Sequence, residues 1–342
     1  MSPSTNNTLT FTADAVLFDM DGTLTDSIAA VEAAWGKVAK DIGQDPAYVI
    51  AATHGKRAID NLAQFKPELK AHEMDDAVTD FENTILYYAD AFNSAPATEY
   101  STPSWSLKSS TTSSIDGTPY LTPESSAPSS TEDLSDVSDI SDAPRRPSFI
   151  TRLSKALMST MRTAPRVHDD EEALVGGAVQ LMEDTLEAWR VEAMSVDRSV
   201  RILPGVRKMI DSLPEGRYAV ATSGAKTYAY GCMTRVGITP PAVTITADDK
   251  RLKAGKPAPD PFLLAADCLG FDAKKCVVFE DSPSGIRAGV ASGATVIAVC
   301  TSHERAQIEN CGAHFLVENM EDVVCETVEV DGMMSLKFTV RC

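Results

Sequence analysis

Five short apolar runs mark the chain: Ala15 to Asp19 (AVLFD), Tyr218 to Thr222 (YAVAT), Val243 to Thr246 (VTIT), Cys276 to Glu280 (CVVFE) and Thr295 to Val299 (TVIAV). Near-continuous runs of this kind are what strands buried on both faces of a parallel sheet require. Helix-length segments lie at 204–213, 225–236, 260–270, 282–292 and 303–311. Strand and helix in alternation predict an α/β fold with a doubly wound parallel sheet. Residues 26–93 and 168–198 show only helical periodicity, as in Ile28, Val31, Ala34, Trp35 and Val38, and again in Leu174, Val179, Leu181, Leu186 and Trp189. They fall between the first strand and the second, which predicts an all-helical domain inserted after strand one and roofing the C-terminal edge of the sheet. Near the end, Thr327 to Val340 alternate around Asp331-Gly332 and predict a β-hairpin.

Composition changes the picture between these segments. From Ser94 to Ser148, Ser, Thr and Pro supply 30 of 55 residues, which leaves too little apolar surface to offset the entropy of ordering; residues 94–167 are therefore expected to be a disordered insertion. Glu99 to Asp142 hold eight carboxylates and one Lys, whereas Ala143 to Val167 hold six basic residues and no acid. Ile150, Leu153, Leu157 and Met161 recur there at helical spacing; a solvated linker with a nascent helix is preferred over a docking helix. Arg145-Arg146-Pro147-Ser148 would suit a kinase that reads basic residues. Across 342 residues, 49 acidic against 31 basic side chains leave a net charge of −18, which disfavours nucleic acid and anionic membranes as partners. Seven cysteines without a C-x-x-C form neither a disulfide framework nor a zinc site. With no leader-like N-terminus and no run of 18 apolar residues, a cytoplasmic monomer is expected.

Ligands of such sheets bind beyond the carboxyl ends of the strands, so the residues that end each run carry the chemistry. The first run ends in Asp19-Met20-Asp21-Gly22-Thr23. Two carboxylates at i and i+2 can face one opening, hold Mg²⁺ through oxygen and divide nucleophilic and proton-transfer roles, although an Asx turn would account for the same residues. The second run ends in Thr222-Ser223-Gly224 before a helix, an arrangement that suits a phosphate and equally an ordinary helix cap. Lys256, in Ala254-Gly255-Lys256-Pro257, can neutralise a phosphoryl oxygen. Glu280-Asp281 close the fourth run, where two acids are costly to bury unless a cation pairs them. Together, in this order, these groups describe a Mg²⁺-dependent phosphoryl-transfer site.

VLFDMDGTLTDS at 16–27, ATSGA at 221–225, GKPAPDP at 255–261 and VVFEDSPSGIRAG at 277–289 resemble the four motifs of the haloacid dehalogenase superfamily. The likeness covers residues 15–93 and 168–322 and implies a Rossmann-like core (12–25 and 200–342) with a helical cap (26–93 and 168–199). Ala52-Thr53-His54-Gly55-Lys56-Arg57 and the second and fourth motifs look most like the fungal glycerol-phosphate and 2-deoxyglucose-6-phosphate phosphatases. The resemblance implies Asp19 as the nucleophile and Asp21 as the acid and base. It implies Thr222 or Ser223 with the Gly224 amide as phosphoryl ligands, Lys256 as their support, and Asp281 as a metal ligand with Glu280 as a direct or water-mediated partner. The Asp19 carboxylate and the Asp21 main-chain carbonyl would complete the Mg²⁺ sphere, and His54 and Arg57 would contact substrate. The expected partner is a small phosphorylated polyol or sugar. The loop from Asp248 to Lys256 is longer than the usual form, leaving Lys250 and Lys253 as rivals to Lys256, and Ala258 stands where these phosphatases often carry His. A phosphoglucomutase-like enzyme, and behind it a catalytically idle adaptor, are the rival readings.

Overall fold

A computed structural model describes residues 8–94 and 187–341. These belong to one compact unit, residues 1–95 with 167–342. Apart from Ser94, the expected insertion lies outside the described residues, as do its basic helix and the periodic positions Leu174, Val179, Leu181 and Leu186.

The described chain opens on β1 (Thr8–Ala13), β2 (Ala15–Phe18) and β3 (Thr25–Asp26), then enters α1 (Ile28–Asp41), α2 (Pro46–Thr53), α3 (Ala58–Phe65) and α4 (Met74–Ser94). A further helix, α5, is described over 187–195. After β4 (Arg201–Ile202) come α6 (Val206–Asp211), β5 (Tyr218–Ala221), α7 (Lys226–Arg235), β6 (Thr244–Ile245), α8 (Asp260–Leu269), β7 (Cys276–Glu280), α9 (Pro283–Ser292), β8 (Thr295–Val299) and α10 (Arg305–Ile308). β9 (Phe315–Val317), β10 (Val323–Val330) and β11 (Met333–Arg341) complete it. All five apolar runs are strands, and every pair in the six-stranded sheet, ordered β6-β5-β2-β7-β8-β9, is parallel. The short edge strand β9 is the one member the runs do not announce, because three residues are too few to show a pattern.

Alternate residues of each strand face opposite layers. Ala15, Leu17, Ala219, Ala221 and Val278 pack with Phe262 and Ala265 of α8 and Ile286 of α9. Val16, Phe18, Val220, Val277 and Phe279 belong to the other cluster, with Met209 of α6, Met233 of α7 and Phe338 of β11. That second cluster continues into the helical insert. Trp35 of α1 meets Phe81 of α4 at 4.1 Å between ring centroids, and Trp189 of α5 stacks on Tyr87 at 4.6 Å while its Nε1 donates to the Tyr88 hydroxyl at 2.6 Å. The insert leaves the sheet at β3 and returns at β4, and these two strands pair antiparallel, Thr25 with Ile202 and Asp26 with Arg201.

The C-terminal hairpin is present and longer than its alternation predicts. Asp331 (φ 53°) and Gly332 (φ 75°) make the two-residue turn, in which both central residues need positive φ. β11 also pairs with β1, so the N-terminal Thr8–Ala13, for which no strand is expected above, closes a three-stranded antiparallel sheet. Its alternating Thr and apolar residues place Phe11 against Phe338 (5.3 Å) and Phe315 (5.1 Å). Phe338 thus joins this small sheet to the main core. Phe338→Ala is expected to cost about 3–5 kcal/mol, read as a lowered urea midpoint, whereas Met333→Ala at the exposed hairpin tip should stay within about 0.5 kcal/mol.

Candidate active site

β5, β2 and β7 are neighbours in the sheet, and the chain runs from β2 outward to β5 and β6 before returning to β7 on the other side. Their C-terminal ends are therefore the point where the strand order reverses, and Asp19, Thr222 and Glu280 stand there. Gly22, at φ +79°, turns the chain after Asp21; a Cβ at this position would run into the Asp281 side chain. Glycine is thus what lets the first acid pair close against the second. The Thr301 hydroxyl donates to the Gly22 carbonyl and secures the same turn.

Four charged groups meet in the buried space so formed. The Lys256 ammonium donates to Asp19 Oδ1 and, at 2.7 Å, to Glu280 Oε1, and it lies 5.0 Å from the Phe262 ring centroid. Lys250 and Lys253 are exposed, so the choice among the three lysines falls to Lys256. Glu280 Oε2 accepts from the Asp281 and Ser282 amides (2.9 and 3.0 Å) and from the Ser282 hydroxyl (3.1 Å). Asp281 accepts from Thr23 at Oδ1 (3.1 Å) and from Ser302 at Oδ2. Carboxylate oxygens of Asp19, Glu280 and Asp281 lie within 4.8 Å of one another, a grouping that can hold a metal ion. The Asp21 carboxylate is not part of it. Instead its Oδ1 accepts from Ser27 Oγ and Tyr228 OH, both at 2.5 Å.

Burial dominates the electrostatics. It pushes Asp19 up to about 7, against the opposing pull of Lys256 and with the repulsion of Glu280 and Asp21. Asp21 is raised by burial too, opposed by the Ser27 and Tyr228 hydrogen bonds. Burial, then Glu280 and Asp19, lift Asp281 well above the carboxylate range. For Lys256 burial pulls downward, but the Asp19 and Glu280 carboxylates outweigh it and hold the ammonium above the usual lysine range.

A cavity of about 80 Å³ opens over these groups, lined on the sheet side by Asp19, Asp21, Ser223, Gly224, Lys256 and Asp281 and on the helical side by Trp35, His54, Gly55, Phe81 and Glu82. Thr222 is buried behind the wall, and the Gly224 amide, expected to face a phosphate, donates to Thr222 Oγ1 at 3.0 Å. His54 reaches the cavity, with Nε2 3.1 Å from Glu32 Oε1. Arg57 does not line it: its guanidinium is held by Asp60 at 2.8 and 3.0 Å. Gly55 (φ +69°) brings its carbonyl to the sheet side, where Ser223 Oγ (3.1 Å) and Ser284 Oγ (3.3 Å) donate to it.

Several members of the site have no motif of their own. Tyr228 and Glu82 sit within helices whose periodicity announces burial and nothing more, and Ser302 and His303 follow a strand that ends without a charge. A signal was present for Glu82, which falls within the buried stripe of Phe81, Ile85 and Tyr88 where an apolar residue is due.

The chain is similar to known proteins. Residues 13–293 match the family model described as haloacid dehalogenase-like hydrolase. Over 137 residues the chain is 35% identical to glycerol-1-phosphate phosphohydrolase 2 of Saccharomyces cerevisiae, covering 37% of this chain and 54% of that protein. The chain spans about half the length of the two yeast glycerol-1-phosphate phosphohydrolases it matches. Similarity to 2-deoxyglucose-6-phosphate phosphatase 1 of the same yeast is 25% over 322 residues, covering 92% and 90% of the two chains. A hydrolase from Pseudomonas syringae superposes with a TM-score of 0.50 at 16% identity, covering 90% and 93%, a likeness of fold. No helix among the described residues is long and apolar enough to cross a membrane. With a family match that runs from the first strand of the sheet to the end of α9 and takes in all four motif stretches, the chain belongs to the haloacid dehalogenase-like hydrolases.

Proposed function

We propose that this chain is a Mg²⁺-dependent phosphatase that hydrolyses a small phosphomonoester, a glycerol or sugar phosphate, through an aspartyl-phosphate on Asp19. The observation that carries the reading is the pairing of a lysine-bound Asp19 with an Asp21 held by two hydroxyls over one buried cavity. In this reading 12–25 and 200–342 are the catalytic core, and 26–93 with 168–199 its cap. Similarity to the yeast glycerol-1-phosphate and 2-deoxyglucose-6-phosphate phosphatases supports the substrate class.

The residues present fit a hard divalent cation. Three buried carboxylates against one ammonium leave an excess of negative charge, and oxygen donors are what Mg²⁺ prefers. Asp19, Asp281 and the Asp21 carbonyl would hold it, while Glu280, both of whose oxygens are engaged by Lys256 and backbone amides, shapes the site from behind. When bound, the ion offsets charge on the phosphoryl oxygens.

Asp19 attacks phosphorus, forming a carboxyl O–P bond as the ester O–P bond breaks, and Asp21 gives its proton to the departing alkoxide oxygen. Burial, which raises Asp21, keeps that proton available. In the second half Asp21, now a carboxylate, takes a proton from water; the water oxygen attacks phosphorus, the acyl O–P bond breaks, and Asp19 is regenerated with release of phosphate. Lys256 holds Asp19 in place and balances its charge throughout. Ser223 and Gly224 line the side where the phosphoryl oxygens rest. The cap keeps bulk water out of the ester-cleaving step.

Phosphate release from glycerol phosphate, 2-deoxyglucose 6-phosphate, other sugar phosphates and a bisphosphate-primed hexose 1-phosphate, with Mg²⁺ and with chelator, tests the reading. Chelator-sensitive release that Asp19→Asn abolishes is the expected result; loss of hexose 1-phosphate without release would make the protein a mutase, and release by Asp19→Asn at the wild-type rate would overturn the nucleophile.

Tyr228→Phe removes one of the hydrogen bonds that lower Asp21, so the limb of the kcat–pH profile set by Asp21 should move to higher pH. The folded state holds the Asp19 carboxyl at about 7 against an ordinary 3.8, so it favours the neutral form. Stability from this group is full below about pH 4 and lost as pH rises to 7. Mg²⁺ should therefore raise the Tm more at pH 8 than at pH 5.5, a difference that differential scanning fluorimetry reads directly.

A further inference from the structure

The helical insert sends one carboxylate into the cavity. Glu82 of α4 is 3% exposed, on a face otherwise built from Phe81, Ile85 and Tyr88. An acid in such a setting is costly unless something uses it. Its Oε1 accepts the Ala225 amide at 2.5 Å, directly after Ser223 and Gly224 and just ahead of α7. Burial pushes it up to about 7, with the Ala225 bond opposing and Asp248 and Asp21 adding repulsion. Glu82 also walls a second cavity of about 480 Å³, together with Asp75, Asp248, Asp249 and Lys250. It therefore stands between the phosphoryl position and the space beyond, where a leaving group extends.

Acids outnumber bases on that wall, Glu82, Asp75, Asp248 and Asp249 against Lys250. A carboxylate accepts hydrogen bonds, whereas a second anionic group on the substrate would meet the buried Glu82 and, beyond it, the acids Asp75, Asp248 and Asp249. Of the basic side chains on the first cavity's wall, Lys256 is held by two carboxylates and the others lie near polar groups of the protein. Lys256 is bound by Asp19 and Glu280, Lys56 donates to the Ala52 carbonyl at 2.9 Å, His54 lies beside Glu32, and His303 Nδ1 is 2.7 Å from Ser302 Oγ. Trp35 and Phe81 supply an apolar surface for C–H faces.

We propose that Glu82 is a specificity-determining residue, which accepts a hydrogen bond from a hydroxyl of a neutral polyol leaving group and rejects esters that carry a second anionic group. The proposal rests on the phosphatase reading above and adds to it a residue and a rule of exclusion.

Kinetics of the full chain with Mg²⁺ on three esters test it: glycerol 1-phosphate, p-nitrophenyl phosphate, which has no hydroxyl to offer, and 2-phosphoglycolate, which carries a carboxylate. In Glu82→Ala the ratio of kcat/KM for glycerol 1-phosphate over p-nitrophenyl phosphate should fall at least tenfold. Glu82→Gln keeps an acceptor oxygen and loses the charge; it should lower the preference for glycerol 1-phosphate over 2-phosphoglycolate at least tenfold while changing the first ratio less than Glu82→Ala does. If all three esters lose activity in proportion, Glu82 only holds α4 to Ala225 and the proposal is overturned. Unchanged ratios in both variants overturn it equally. A wild type inert on every ester would overturn the phosphatase reading itself, an outcome distinct from either.

Discussion

The whole arrangement depends on burying Asp19, Asp21, Glu280 and Asp281 around a single ammonium. Removing one carboxylate from water costs several kcal/mol even after relaxation, and at 4 Å two like charges repel by roughly 4 kcal/mol at an effective dielectric of 20. The chain meets this demand with short-range donors. Glu280 has two amides, a hydroxyl and Lys256; Asp281 has Thr23 and Ser302; Asp21 has Ser27 and Tyr228. Each donor comes from a turn or helix start at a strand's end, which is why the site can exist only where the strand order reverses. The negative charge that remains after these donors are counted suits the pocket to a cation, and burial raises the Asp19 carboxyl to about 7.

The helical insert is held over this pocket by polar contacts as much as by packing. The Gly55 carbonyl takes two hydroxyls from the sheet side, Glu82 takes the amide before α7, and Asp90 grips Arg235 through two bonds of 2.8 and 2.5 Å. The last pair is partly exposed and worth at most about 1 kcal/mol. Contacts of this strength break and re-form readily. α4 runs beside α7 with Glu82 near one end of the contact and Asp90 two turns along, so one helix both walls the cavity and ties the insert to α7.

The strands and the acids at their ends were legible because burial on both faces writes an unbroken apolar run, and a charge that ends such a run stands out. Asp19, Asp21, Glu280 and Asp281 all have that form. Lys256 was legible only by its place in GKPAPDP, since a lysine in a loop is ordinarily solvated. Other members could not be read. Tyr228 is one of several buried positions on α7, and nothing in its neighbours says that its hydroxyl meets Asp21 across more than 200 residues of chain. Arg57 shows the converse, a motif position whose side chain is satisfied locally by Asp60 three residues on. β1 was obscured by its threonines, which count as polar in composition yet favour strands.

The two-residue pair of β3 and β4 has a mechanical consequence. Both covalent passages between the sheet and the helical insert run side by side there, tied antiparallel, Thr25 to Ile202 and Asp26 to Arg201. A pair of separate tethers would let the helices slide and twist in any direction. Two tethers laced together act as a hinge leaf: rotation about the line of the ribbon leaves its hydrogen bonds intact, whereas shear or torsion must break them. The ribbon therefore resists sliding and twisting of the helical layer, which favours the register in which Glu82 meets the Ala225 amide.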